Sequence, residues 1–269
     1  MAVNKNLVKG YQDVASRLSM AAGSLARNAF VNLGSWRDED VPGYLTTVDA
    51  ALRGIKRQSS NLSVAFYREV AKESGKKFVA PKIAASQLLT SALRNGADFE
   101  TVYTRPFVDL RTALSQGKSL TEAVTAGAIR AEDLARTEIA LARRGAGFSA
   151  REGNNNIVGY LRVLTGSENC ALCYVASTQR YTRGDLLPIH PGCDCGEEPI
   201  YGNSDPGQVI DEQLLDSTHQ AIDERFGSFD YGARAIDYRK AVIVRQHGEL
   251  GPVLTVKGQH FTSAADLNL

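Results

Sequence analysis

The chain has 269 residues, of which 43% are hydrophobic and 23% are charged. This is the ordinary composition of a globular protein with one large domain or two smaller ones. No apolar run approaches the roughly 20 residues needed to cross a bilayer, so we expect no membrane span. The first residues lack the hydrophobic core of a signal peptide, which predicts synthesis and residence in a cytoplasm-like compartment.

The net charge of +1 conceals an uneven distribution of charge along the chain. Residues 1–156 carry 22 Lys and Arg against 15 Asp and Glu, whereas residues 157–269 carry 9 against 15. A basic first half would favour a polyanion such as DNA. Because the charges are mixed along predicted helices, the pattern instead indicates ordinary solvated helix faces.

Hydrophobic periodicity predicts a helical domain over residues 1–128. The first helix is predicted over 5–33, with a buried stripe of Leu7, Tyr11, Val14, Leu18, Ala21 and Leu25. The second is predicted over 41–74, with Ser59-Ser60-Asn61 as a point of interruption. Further helices are predicted over 81–94, over 98–116 with a kink or break at Pro106, and over 119–126 from the capping box Ser119-x2-Glu122.

A second domain is predicted over residues 129–203, starting with a helix over 130–144. Glu138 falls on the apolar face of this helix. A buried carboxylate needs a partner, and Arg136 or Arg162 is the candidate cation. We therefore interpret Glu138 as a structural polar residue rather than a catalytic one.

The remaining segments are predicted from their composition. The glycine- and asparagine-rich residues 145–156 indicate a loop, 157–164 have the composition of a strand, and 181–188 indicate a hairpin or loop. The third region, 204–269, is a C-terminal tail with a helix over 209–225 and a strand and turn over 241–255. The fold class expected is mainly α: a long-helix bundle, then a small α+β module, then the short tail.

All four cysteines lie between Cys170 and Cys195, within 26 positions that also contain one of the four histidines. The order is Cys170-x2-Cys173, sixteen residues, then His190-Pro-Gly-Cys193-Asp-Cys195. Two short ligand clusters separated by a loop are typical of a structural Zn²⁺ site. The pattern predicts one structural Zn²⁺ ion that joins both ends of the loop.

Five candidate ligands compete for four positions, and the spacing leaves the choice open. Cys170 and Cys173 form one pair. The second pair is either His190 with Cys193, or Cys193 with Cys195, which share one side of an extended segment. The alternatives to a metal site are disulfides, which need an oxidising compartment, and unpaired buried thiols.

These motifs together resemble a known family. The Ala-Arg-Thr-Glu helix (Ala135 to Glu138), the Gly-Tyr-Leu-Arg-Val strand (Gly159 to Val163) and the two clusters followed by Pro199 come in one order. In this they resemble the C-terminal module of the phage Mu F-like minor head proteins, or phage head morphogenesis proteins. The likeness covers residues 130–200, about a quarter of the chain. The tail after residue 203 is similar to versions carried by phages of actinobacteria.

The resemblance implies a minor capsid protein made in the host cytoplasm and present in few copies in the virion. Its implied location is the portal or the capsid interior. Portal protein is the implied partner, with scaffold, major capsid protein and packaged DNA as further ones. Some members are implicated in head assembly, and some are ejected with the DNA.

Two other function classes compete with a minor capsid protein. A nucleic-acid-binding zinc module would use Arg180, Tyr181 and Arg183, although the acidic residues around them oppose a strong grip on DNA. A zinc deaminase needs His-x-Glu before Pro-Cys-x2-Cys, but here Cys-x2-Cys comes first, and Pro and Gly follow His190. The His-Glu-x2-His motif of metalloproteases is absent, and five candidate ligands favour a closed site over the open site of a catalytic zinc. We therefore expect a structural protein and not an enzyme.

Overall fold

A computed structural model describes residues 5–82, 98–164, 176–182, 195–202, 207, 211–213, 215–216, 242–247 and 251–256. The helices are α1 Lys5–Val31, α2 Val41–Glu73, α3 Phe99–Tyr103, α4 Arg105–Ser115 and α5 Leu120–Glu152, with a 3-10 turn at Asp38–Asp40. The strands are β1 Ile157–Val163, β2 Arg180–Tyr181, β3 Gly196–Tyr201, β4 Val242–His247 and β5 Gly251–Val256. The expectation of a mainly helical fold with a small sheet is confirmed. The predicted helices over 81–94 and 209–225 and the hairpin over 181–188 lie largely outside the described residues.

Three long helices, α1, α2 and α5, pack on one another, and α4 packs on α5. Helix α1 runs antiparallel to α5, since Ser19 contacts Arg136 and Arg27 contacts Glu132. Helix α2 runs in the same direction as α5. Both α2 and α5 therefore point their C-terminal ends toward the small sheet.

Two apolar cores lie at opposite ends of the bundle. The first joins α1, α2, α4 and the first half of α5, and its rings Phe30, Tyr44 and Phe107 meet edge to face at 5.1–5.8 Å. The second joins the other end of the helices to the sheet and contains Tyr11, Phe66, Tyr67, Val70, Ala71, Ala150, Ile157 and Tyr201. The stretch of bundle between the two cores is polar and contains the buried residues Lys56, Ser59, Ser60 and Glu138.

The buried stripe of α1 differs from the predicted one. Tyr11 is buried as expected, but Ala21 is exposed. The stripe continues through the small residues Ala15, Ser19, Ala22, Gly23 and Ala26 and ends at Phe30. The small side chains let α1 approach α5 closely. A Cβ atom at Gly23 would lie 2.8 Å from Arg136 Cγ, which shows how little room is left.

Helix α2 covers almost the whole predicted range, but it is not interrupted at Ser59-Ser60-Asn61. The hydroxyls of Ser59 and Ser60 donate to the carbonyl oxygens of Ile139 and Ala142 on α5, each at 3.3 Å. These serines therefore face another helix, and the bonds between the helices offset their weak helix propensity.

Helix α5 contradicts two of the predicted boundaries. It is a single 33-residue helix, where the sequence suggested two helices and a loop from Gly145 onward. Its start is as predicted, since Ser119 and Glu122 form the capping box. The division placed between residues 128 and 129 lies inside this helix. One continuous helix thus extends from the bundle to the sheet.

The three-stranded sheet is antiparallel, with β1 in the centre between β2 and β3. Strand β1 matches the predicted strand, and a bulge between Ile157 and Gly159 shifts its register. In the C-terminal region, β4 pairs antiparallel with β5, so the predicted strand there is confirmed. The predicted turn lies outside the described residues. None of the described helices combines the length and apolar character that crossing a bilayer requires.

Candidate functional site

Of the five candidate metal ligands, Cys195 alone lies among the described residues; Cys170, Cys173, His190 and Cys193 lie outside them. Within the described ranges, no three His, Cys, Asp or Glu side chains cluster closely enough to hold a metal ion. The donor set itself, four thiols and one imidazole, is the set that Zn²⁺ prefers. The metal site therefore stays a prediction. The structure describes the surroundings of its last candidate ligand, Cys195.

Cys195 is buried and comes directly before strand β3. Its carbonyl oxygen accepts hydrogen bonds from two nitrogens of the Arg144 guanidinium, Nε at 3.3 Å and Nη2 at 3.2 Å. Arg144 belongs to α5 and is itself buried. The end of the second ligand cluster is thus attached to the long helix by a charged fork.

The next acidic residue, Glu197 on β3, lies at the centre of a buried network. Glu197 Oε1 accepts a hydrogen bond of 2.7 Å from the Tyr67 hydroxyl of α2, and its other carboxylate oxygen is paired with Arg151 of α5. Arg151 also donates to the Tyr67 hydroxyl at 3.0 Å. Three elements that are distant in sequence therefore meet at one carboxylate.

Burial, together with the nearby charge of Glu197, raises the pKa of Tyr67 well above 10. The phenol consequently stays protonated and available as a donor at any physiological pH. Arg151 also contacts β1: its guanidinium lies 4.3 Å from the centre of the Tyr160 ring, a cation–π contact. Tyr160 in turn stacks on Tyr181 with ring centres 5.3 Å apart, which joins β1 to β2.

Glu138 is fully buried, and its partner is a residue that the sequence did not suggest. Lys56 Nζ of α2 lies 2.7 Å from Glu138 Oε1, with the lysine also buried. Neither predicted cation is this partner. Arg136 pairs with Glu132 at 3.8 Å, and Arg162 on β1 lies opposite Glu197 on the neighbouring strand β3. The missed signal was a lysine spaced four residues after Leu52 on the apolar face of α2.

Glu198 is the remaining acidic group at this junction. Burial raises its pKa to about 7, with a smaller contribution from the negative charge of Glu73 at the end of α2. It alternates with Glu197 along β3, so the two carboxylates leave the strand on opposite sides. Glu198 therefore changes charge near neutral pH.

The Lys56–Glu138 pair and the charged groups around Glu197 are both closed to solvent. The side chains of Lys56, Glu138, Arg151 and Glu197 are each at most 2% exposed, so no reactant reaches these charges in the folded protein. Each carboxylate has a cation within contact distance. The contacts of Glu197 fit a structural joint between α2, α5 and β3, which we call the junction network: Tyr67, Arg151 and Glu197. The Lys56–Glu138 pair joins α2 to α5.

The comparisons with known proteins identify no relatives. No family model matches this chain, and neither does any curated protein or any solved structure. Function is therefore inferred from the sequence motifs and from the contacts of Glu197 with the two helices.

Proposed function

We propose that this chain is a minor capsid protein, or head morphogenesis protein, of a tailed phage, with a structural rather than an enzymatic role. In this proposal the helical bundle docks on the portal protein, and the module over 129–203 holds one structural Zn²⁺. Scaffold, major capsid protein and packaged DNA are the further candidate partners. The protein is made in the host cytoplasm and ends in the virion, at the portal or in the capsid interior.

The observation that carries the proposal is the junction between Glu197 and the two helices. The motifs that resemble the Mu F-like module are Ala135 to Glu138, Gly159 to Val163, and the cluster ending at Cys195. The helical motif is part of α5, and the strand motif is paired with β3. Buried charged groups attach these motifs to the bundle. A component of an assembly needs such a rigid attachment if it is to fix the relative positions of its partners.

The ligands proposed for the metal are Cys170 and Cys173, with two further groups from His190, Cys193 and Cys195. A bound Zn²⁺ would join both ligand clusters and contribute several kcal/mol of folding free energy to a segment with few large apolar side chains. The chain's own contribution is to hold Cys195, the last residue of the second cluster, against α5 through its two hydrogen bonds from Arg144. The role of the metal in this proposal is structural.

The experiment that tests the function is co-expression with the portal protein encoded by the same phage genome. Affinity purification of the portal should recover this chain, and mass spectrometry of purified virions should detect it in few copies. Elemental analysis of the purified chain should give one zinc per molecule. A chain absent from virions and without affinity for portal, scaffold or major capsid protein would contradict the proposal.

A nucleic-acid-binding zinc module is the second candidate, and the described residues give it little support. Tyr181, one of its proposed contacts, stacks on Tyr160 and donates its hydroxyl to the Ala176 carbonyl at 2.8 Å. One face of its ring is thus already used inside the sheet. A DNA-binding module would lose affinity steeply as salt is added, and this titration separates the two functions.

A further inference from the structure

One side of helix α2 is exposed to solvent and basic. The structure describes this helix over its whole length, and four of its cations are exposed: Arg53, Arg57, Arg68 and Lys72. With 3.6 residues per turn, these four positions lie within about 100° of one another around the helix, in a row about 28 Å long. The acidic residues of the same stretch of helix lie outside this sector. We call the four residues the basic face of α2.

Two of the four cations pair with carboxylates at the border of the basic face. Arg53 lies 2.7 Å from Asp49, and Lys72 lies 3.6 Å from Glu69. Ion pairs at the surface are weak, because water and salt screen them. These two carboxylates therefore offset only part of the positive charge.

Arg57 and Arg68 make no ion pair or hydrogen bond with any part of the chain that the structure describes. Their charges are thus available to a partner. The whole chain has a net charge of only +1, so its overall charge attracts polyanions weakly. Binding of a polyanion has to come from a local concentration of positive charge, and the basic face of α2 is such a place.

The character of this face favours a nucleic acid over a protein as the partner. The centre of a protein–protein interface is rich in apolar and aromatic side chains and poor in charged ones. Within the described ranges, the large apolar residues that are exposed lie on α1, α4 and α5 and at Val79, and none of them lies on α2. Interfaces with DNA are instead polar and strongly positive.

Among nucleic acids, the basic face of α2 fits a duplex better than a single strand. Proteins that bind single strands stack the bases on exposed aromatic side chains. The aromatic residues of α2 are Tyr44, Phe66 and Tyr67, and all three are buried. Duplex DNA carries one negative charge per about 1.7 Å of its axis, so a row of cations about 28 Å long meets phosphates along its whole length.

We propose that the basic face of α2 binds the phosphate backbone of duplex DNA without sequence preference, with Arg57 and Arg68 as its principal contacts. This inference rests on the proposed function for the source of the DNA, since packaged DNA is one of the candidate partners there. It needs neither the metal site nor any residue outside the described ranges. Contacts to phosphate carry no sequence information, which suits a protein that meets DNA of any sequence in a capsid.

The experiment measures binding of the full chain to a short fluorescein-labelled DNA duplex by fluorescence anisotropy, over a series of salt concentrations. Each phosphate contact contributes about −0.9 to the slope of log K against log salt concentration. We expect a slope of about −4 for the unsubstituted chain and about −2 for Arg57→Gln/Arg68→Gln. The loss of affinity in this variant should be the same for duplexes of different sequence.

The matched control is Arg37→Gln/Lys118→Gln, which changes the net charge by the same amount. Both residues are exposed, and they precede α2 and α5, so they lie at the end of the bundle away from the sheet. This variant should keep the slope of the unsubstituted chain. Arg57→Lys/Arg68→Lys should bind DNA nearly as tightly as the unsubstituted chain, because lysine also binds phosphate as a point charge. Circular dichroism verifies that each variant is folded, as expected for changes at exposed positions.

Four results would overturn the inference: no binding to the duplex at low salt, equal losses in the two glutamine variants, tighter binding to single-stranded DNA, or binding to polyglutamate without binding to DNA. The last result would indicate an acidic protein as the partner. The nucleic-acid-binding zinc module is tested in Arg57→Gln/Arg68→Gln, since salt-dependent binding that remains in this variant belongs to another surface.

Failure of the proposed function is a different result. In that case the chain binds duplex DNA through Arg57 and Arg68, but it neither associates with capsid components nor occurs in virions. A chain that occurs in virions and whose DNA affinity does not depend on these two arginines would contradict the inference alone.

Discussion

Gly147 of α5 and Glu197 of β3 are in direct contact, and only a glycine fits there. A Cβ atom at position 147 would lie 1.6 Å from Glu197 Oε1, the oxygen that accepts the Tyr67 hydrogen bond. This glycine contributed to the prediction of a loop in the sequence. In the structure, its missing side chain leaves the space that the Glu197 carboxylate occupies.

The first prediction concerns this contact. Gly147→Ala should destabilise the protein by about 2–4 kcal/mol, because the methyl group displaces Glu197 and breaks a buried network. Gly54→Ala is the matched control: it is also in a long helix, but it is exposed and has open space around it. That change should stabilise the helix by about 0.5–1 kcal/mol. Urea denaturation of both variants measures the difference, and equal effects would contradict the role of the contact.

The second prediction concerns the buried pair of Lys56 and Glu138. Lys56→Met should cost about 3–5 kcal/mol, since it leaves a buried carboxylate without its cation. The double variant Lys56→Met/Glu138→Leu should recover most of this loss, because two apolar residues pack without a desolvation penalty.

The exposed pair of Arg53 and Asp49, 2.7 Å apart on the same helix, supplies the control for this cycle. Arg53→Met should cost less than about 1 kcal/mol. Free energies of unfolding from guanidinium titrations check all three variants. A double variant no more stable than Lys56→Met would show that the ion pair itself is needed.

The third prediction concerns the Tyr67 hydroxyl. Tyr67→Phe should destabilise the protein by about 1–3 kcal/mol, because it removes a hydrogen bond that the buried carboxylate of Glu197 accepts. The control is Tyr44→Phe. The hydroxyl of Tyr44 is buried and has no hydrogen-bond partner among the described residues, so its removal should be neutral or slightly stabilising. Thermal unfolding followed by circular dichroism distinguishes the two, and similar melting temperatures would contradict the network.

The fourth prediction is a pH dependence that comes from Glu198. Its pKa in the folded protein is about 7, above the ordinary value of 4.5. Below pH 4.5 the carboxyl is neutral in both states; between 4.5 and 7 the unfolded chain ionises first, so folding stability falls as the pH rises. Above pH 7 the full penalty remains.

Glu198→Gln should remove this penalty. The variant should be more stable than the unsubstituted protein by about 1–3 kcal/mol at pH 8, with little difference at pH 4. Denaturation curves at both pH values give the comparison. Glu73→Gln, which removes only the smaller cause of the shift, should have a smaller effect. A gain from Glu198→Gln that is equal at both pH values would point to packing rather than ionisation.

The fifth prediction concerns the metal ligands. Cys170→Ser or Cys173→Ser should make the region between residues 165 and 200 sensitive to proteases while the helices stay folded, because the proposed metal would supply folding energy to that region. Treatment of the unsubstituted chain with a chelator should produce the same cleavage pattern. Native protease resistance in either variant would disprove a structural metal.

Several features follow from the sequence because they depend on neighbouring residues. The capping box at Ser119, strand β1 and strand β4 were all predicted. In each case, side chains within a few positions satisfy the backbone or form one face. Glu138 was likewise placed on a buried face from spacing alone.

Other features were decided by contacts between distant parts of the chain. The partner of Glu138 is 82 residues away. The contact that excludes a side chain at position 147 comes from Glu197 on β3, far along the chain. The buried stripe of α1 shifted to small residues because α5 packs closely against it. Sequence periodicity thus set which segments are helices and strands. Tertiary packing set where they end and which charges pair, since the free energy of a buried charge depends on the residues that surround it in space.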